Sequence, residues 1–276
     1  MGADEPPPPR NRPVAPALAP YVASLVAYDV DLGGPGVHRG LPSTAVTFVL
    51  PLDEPLDVGW AGVADSRVSS WSSVSGLHTR PAAIHHAGRQ RGLQLALTAA
   101  GARALLGVPA AALARELLAL DDVARPLAWL PDGLVEEPTW EQRLRLVERA
   151  LLRALARNGE SGPRAEVGRA LAALTRGRPV HAVAAEVGFS RRRLTTLVRA
   201  ECGLAPKEYQ RVARLQASRA LLGRAGTIAE VAQRTGYADQ SHLTREWVEL
   251  AGCTPGTWLR EEFPFVQDLS EDDPAG

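Results

Sequence analysis

The side chains of this sequence that could do chemistry are hydrogen-bonding groups set at helical intervals. Arg192, Thr195, Thr196 and Arg199 fall on one face of a predicted helix, and Gln240, Ser241, Thr244 and Arg245 fall on one face of another. An arginine is shaped to grip guanine through two parallel hydrogen bonds, and a threonine offers one bond plus a methyl contact to thymine. Arg191, Arg193 and Arg199 form either a solvated basic helix face or, where that helix meets DNA, phosphate contacts, which add affinity without sequence information. The chemistry expected is therefore non-covalent reading of double-stranded DNA. Bond-making chemistry finds less support. His38, His78, His85 and His86 lack the His-x-His pair and following glutamate of a metal site, and neighbours such as His85 and His86 point to opposite faces of a strand. They are expected to be surface or hydrogen-bonded histidines. No serine elbow, phosphate loop or cysteine-rich alkyl-acceptor motif occurs. No catalytic residue, metal or cofactor is expected, and an effector-binding residue is not identifiable.

Two helical hairpins must position the base-facing groups. In Thr227 to Trp258, Ile228, Val231 and Ala232 are spaced for one buried face, Gly236 permits a tight turn, and Asp239 caps a second helix whose back carries Leu243, Trp247 and Leu250. The same unit occurs earlier. A shift of 48 places lays Val231-Ala232 on Val183-Ala184 and Gly236-Tyr237 on Gly188-Phe189. A shift of 49 lays Leu243, Trp247, Gly252, Pro255 and Trp258 on Leu194, Val198, Gly203, Pro206 and Tyr209. Repetition of a whole supersecondary unit is seldom accidental. In the earlier unit Val180 to Val187 supports a recognition helix capped by Ser190 and running to about Cys202, with Leu194, Leu197 and Val198 facing the scaffold. Pro206 to Leu222 predicts a joining helix of about 17 residues, roughly 26 Å at 1.5 Å per residue. Recognition elements on successive turns of DNA lie about 34 Å apart, so a spacer of this length suits neighbouring major grooves.

The stretches GFSRRRLTTLVRAECGLAPKEY and GYADQSHLTREWVELAGCTPGTW resemble the DNA-binding domain of the AraC/XylS family of bacterial transcription regulators, over about Pro163 to Glu262. The resemblance implies two helix-turn-helix units joined by one long helix, and RNA polymerase as a partner. It also implies groove-facing roles for Arg192, Thr195 and Thr196 in the first unit and for Gln240, Ser241, Thr244 and Arg245 in the second. Several relatives carry bulkier groups where Thr195 and Thr196 stand, so the first unit is expected to lean on Arg192 and on phosphates. HRGLPS at His38 to Ser43, GLHTRP at Gly76 to Pro81 and the run ending at Ala114 look like the N-terminal domain of an actinobacterial branch of the family. That implies a cupin-like domain which senses a small effector or pairs two chains.

Composition agrees with this division. The chain has 276 residues, 45% hydrophobic, with no formal net charge. Charge is distributed unevenly, with 16 basic and 10 acidic residues in 163–262, 15 and 17 before it, and none and 4 in the last fourteen residues. The start, MGADEPPPPRNRP, lacks the apolar core of a signal sequence, and no stretch approaches the roughly 20 apolar residues of a membrane span. A cytoplasmic protein is expected, with Cys202 and Cys253 as reduced, partly buried thiols.

The fold expected is α+β: a small cupin-like β-barrel with helices, then an all-α domain. The expected divisions are a disordered proline-rich leader at 1–19, an N-terminal domain at 20–157, a linker at 158–163, the reader at 164–262 and an acidic tail at 263–276. Strands are clearest at Thr44 to Leu50 and Leu93 to Thr98, and weaker at Leu56 to Trp60 and Arg67 to Trp71. A short helix is predicted to stop at Gly107-Val108-Pro109, and another to run from Ala110 to Leu120. In Pro138 to Ala156 the stripe Trp140, Leu144, Val147, Leu151 and Leu155 either pairs two chains or packs on its own domain, and two heptads are too few for a coiled coil.

Overall fold

The computed structural model describes residues 13–159, 164–222, 224 and 227–262. Its fold is α+β, with two antiparallel sheets followed by helices. The strands in chain order are β1 (Val22–Asp31), β2 (Gly36–Gly40), β3 (Val46–Pro51), β4 (Leu56–Trp60), β5 (Val68–Ser70), β6 (Ser73–Ser75), β7 (Ala82–His86), β8 (Arg89–Leu97) and β9 (Leu117–Ala119). One sheet runs β1-β8-β3-β6-β9 and the other β2-β7-β4-β5. The expected barrel is thus two separate sheets that do not close, because the strands of each pair only among themselves.

Alternation along the five-stranded sheet explains where it sits. Leu93, Leu95 and Leu97 of β8 pair across strands with β3, which sends Phe48 and Leu50 to the same face, and all five are fully buried. That face packs on α1 (Ala99–Gly101), which continues as a π-helical turn to Leu106, on α2 (Leu120–Val123), on α3 (Leu130–Glu136) and on α4 (Trp140–Asn158). Thr139 caps α4 by accepting from the Gln142 amide. Trp140, Leu144, Val147 and Leu151 are buried within this chain and Leu155 is half-buried, so the stripe packs on its own domain.

The segment predicted as a helix from Ala110 to Leu120 is different: a single 3-10 turn at Ala110–Leu113, then β9. Alanine content favours a helix, but β9 finds a partner in β6, with Val74 opposite Leu118. Gly76 lets the Leu113 carbonyl approach so closely that any Cβ there would clash with it. Sheet pairing overrides local propensity here.

The second half comprises α5 (Ala165–Thr175), α6 (Val180–Glu186), α7 (Arg191–Cys202), α8 (Pro206–Leu221), α9 (Ile228–Arg234), α10 (Gln240–Ala251) and α11 (Pro255–Glu262). Among the described residues no helix is long and apolar enough to cross a membrane. The apolar core of the N-terminal half runs without a break into Val183, Leu194 and Val198 of the first helical unit. The second unit has its own core, into which Leu41, from the stretch between β2 and β3, is inserted. Residues 1–12 of the leader, 160–163 of the linker and the tail 263–276 lie outside the described residues. Within the leader's remainder, Pro16–Leu18 form a turn and Leu18 is buried.

Candidate nucleic-acid interface and inter-sheet cavity

The internal repeat is present in the elements and the buried positions of the two units. Val183 and Ala184 of α6, like Val231 and Ala232 of α9, are buried, and so are Leu194 and Val198 of α7 and Leu243 and Trp247 of α10. Gly188 and Gly236 hold the turns at φ 74° and 78°, in the left-handed region that a side chain avoids. Ser190 accepts from the Arg193 amide and Asp239 from the His242 amide, so both recognition helices begin where the sequence places them.

With the apolar backs buried, the polar fronts face outward. Arg191, Arg192, Thr195, Thr196 and Arg199 line one open groove of about 580 Å³, together with Val180 and His181 of α6. Arg193 is exposed but outside it. The Thr195 hydroxyl donates to the Arg191 carbonyl at 2.9 Å and that of Thr196 to the Arg192 carbonyl at 3.1 Å. Each hydroxyl proton is therefore engaged within the helix, which leaves an accepting oxygen for a base edge. In α10, Gln240, Ser241 and Arg245 are exposed and Thr244 is half-buried. His181 was not found by sequence reasoning; its only signal is its place at the start of a short helix beside a recognition helix.

What fixes the second unit was also unforeseen. Glu246 of α10 is buried, and its Oε1 accepts from Arg211 at 3.0 Å and from Arg214 at 2.7 Å, both on α8. Arg214 also lies 5.0 Å over the Tyr237 ring. Charge-assisted bonds to a buried carboxylate thus lock α10 to the joining helix. The first unit is locked from the other side, with Glu201 of α7 bound by Arg103 through Nε and Nη2, both at 3.1 Å.

Between the two sheets lies a cavity of about 610 Å³, roofed by α5 and α8. Its sheet face carries Ser24 and Tyr28 of β1, Thr47 of β3, and Gln90 and Gln94 of β8, the alternate positions to the buried leucines. A signal for this face exists in the sequence, since these strand positions are polar yet uncharged, whereas a water-facing strand tends to carry charge. His78 also lines the cavity; its Nδ1–H donates to the Arg80 carbonyl at 2.6 Å, leaving Nε2 as an acceptor.

Burial pushes both His38 and His78 down to about 4 from an ordinary 6.5. Below 6.5 the unfolded chain takes up protons that the folded chain refuses until about 4. Stability from these rings is therefore expected to hold above that window and to fall within it, by about 1.4 kcal/mol per pH unit for each ring. Urea unfolding across the window checks this; a His78→Gln variant with the parent's slope would remove His78 as a cause.

Residues 183–261 match the family model described as a helix-turn-helix domain. None of the curated proteins matches the chain. Solved structures similar to nearly all of it include ToxT from Vibrio cholerae O395, at 10% identity and TM-score 0.53, covering 87% of this chain and 98% of that one. Unsaturated fatty acid bound wild-type ToxT from Vibrio cholerae strain SCE256 gives 10% identity and TM-score 0.52, covering 92% and 99%. ToxT from Vibrio cholerae O395 bound to (E)-4-(8-methylnaphthalen-1-yl)but-3-enoic acid gives 12% identity and TM-score 0.50, covering 86% and 98%. At these identities the likeness is one of fold.

Proposed function

We propose, from the premise that residues 183–261 are an AraC-type helix-turn-helix domain, that this DNA-binding transcription regulator sets α7 and α10 into successive major grooves of one duplex. The observation that carries it is the duplicated hairpin whose two recognition helices share α8, a 16-residue rod. At 1.5 Å per residue that rod is about 24 Å long. With the width of the helices it anchors, it suits the roughly 34 Å turn of DNA. Arg192, Thr195 and Thr196, with Gln240, Ser241, Thr244 and Arg245, are the base readers; Arg191, Arg193 and Arg199 are phosphate contacts, and His181 joins them at the groove edge. One chain covers an asymmetric site.

The cavity between the sheets is the effector site, a reading supported by its place against α5 and α8 of the reader and by the ligand-bound ToxT structures of similar fold. The protein acts in the cytoplasm, without catalysis, and contacts RNA polymerase. If two chains pair, they do so through a surface other than the buried stripe of α4.

Arg245→Ala is expected to weaken specific binding by about 1–3 kcal/mol and to relax selectivity at one or two base pairs. Fluorescence anisotropy on selected duplexes, with a binding array for sequence preference, measures both. An unchanged preference removes Arg245 from the readers, and an affinity for duplex DNA that does not fall with salt removes the function.

A further inference from the structure

We propose that the inter-sheet cavity takes an uncharged ligand, with hydroxyl and carbonyl groups along one side and carbon along the other, in preference to an acid. This rests on the effector reading of the cavity given above.

The polar wall is the first reason. Ser24, Tyr28, Thr47, Gln90 and Gln94 line the cavity, and their side chains make no hydrogen bond to any described residue. A polar group withdrawn from bulk water without a partner is costly, so a row of such groups is kept only where a ligand or held water satisfies it. Both amides and hydroxyls offer donors and acceptors together, which suits ligand hydroxyls and carbonyls alike. The opposite wall supplies Leu56, Val58 and Ile84. A ligand that satisfies both walls has polar groups along one side and carbon on the other.

Charge decides against an acid. Among the described residues no aspartate, glutamate or lysine lines the cavity, and its single arginine, Arg219, already has an interaction partner. Both histidines there are neutral at pH 7 because burial disfavours their charged forms. A carboxylate would enter a half-apolar enclosure with no dedicated counter-charge, and an unpaired buried charge is far more costly than an unpaired amide.

The test uses the full chain and three probes: the naphthyl butenoic acid named above, its primary amide, and the flavanone naringenin, kept below pH 7 so that its phenols stay protonated. Calorimetry is expected to show the amide and naringenin binding at least about ten-fold tighter than the acid, the weight of a lost counter-charge. Gln94→Leu and the near-isosteric Thr47→Val are each expected to weaken the neutral probes about five-fold, as one lost hydrogen bond does, with thermal melting like the parent's. An acid that binds as tightly as its amide overturns the proposal. So does an absence of binding by all three at millimolar concentration, and so does unchanged affinity in both variants. DNA anisotropy on the same preparations separates the readings: if DNA binds and the probes behave otherwise than stated, the ligand class alone falls.

Discussion

Trp247→Ala is expected to lower the unfolding free energy by about 3–5 kcal/mol, the range for emptying a large aromatic from a packed core. The side chain is fully buried in α10, its ring pairs with Trp258 at 5.6 Å, and its Nε1–H donates to the Ser218 hydroxyl at 2.8 Å. Truncation removes the contacts of Trp247 with α8 and α11 at once. Since a domain is stable by only about 5–15 kcal/mol, the second unit should lose its fold well before the first. Denaturation followed by tryptophan fluorescence and circular dichroism measures the loss, and Trp247→Phe should recover much of it by restoring volume. A variant that melts like the parent yet no longer binds DNA would mean that this face of α10 points outward.

The second large effect is expected at the junction of the two halves. In Arg103→Ala the carboxylate of Glu201, a residue 5% exposed, loses all of its charge-assisted bonds from Arg103 and remains in place as an unpaired charge. Such a loss costs about 3 kcal/mol, the lower end of the range because the Arg103 side chain is itself one-third exposed. The double variant Arg103→Ala, Glu201→Gln is expected to be more stable than Arg103→Ala alone, since the stranded charge is gone. A double-mutant cycle on urea unfolding supplies the coupling. Additive effects in that cycle would show that the pair contributes nothing as a pair.

How far the sequence foretold these features depends on whether neighbours along the chain or across space decide them. The backs of both recognition helices were legible because Leu194 and Val198, and Leu243 and Trp247, repeat at the period of a helix. The caps at Ser190 and Asp239 were legible for the same local reason. The stretch from Ala110 was not, because its outcome turns on β6 and Gly76, more than thirty residues earlier. Nor was the lock on Glu246: its partners Arg211 and Arg214 are on another helix, and a glutamate in a helix is ordinarily taken for a solvated one. For the cavity, alternation in LQLALT told which residues share a face. It did not tell whether water or a second sheet lay opposite.

Leu41 gives the architecture a consequence for recombination. Because this residue from the first half completes the interior of the second helical unit, and Arg39 reaches Glu261 of α11 at 2.7 Å, the two halves are not interchangeable cassettes. A hybrid made by fusing residues 164–262 to a foreign partner would leave a leucine-sized void and a broken ion pair. Keeping the second unit intact means bringing the short segment 39–45 along with it, and keeping the first means bringing the N-terminal core and Arg103 on which it packs.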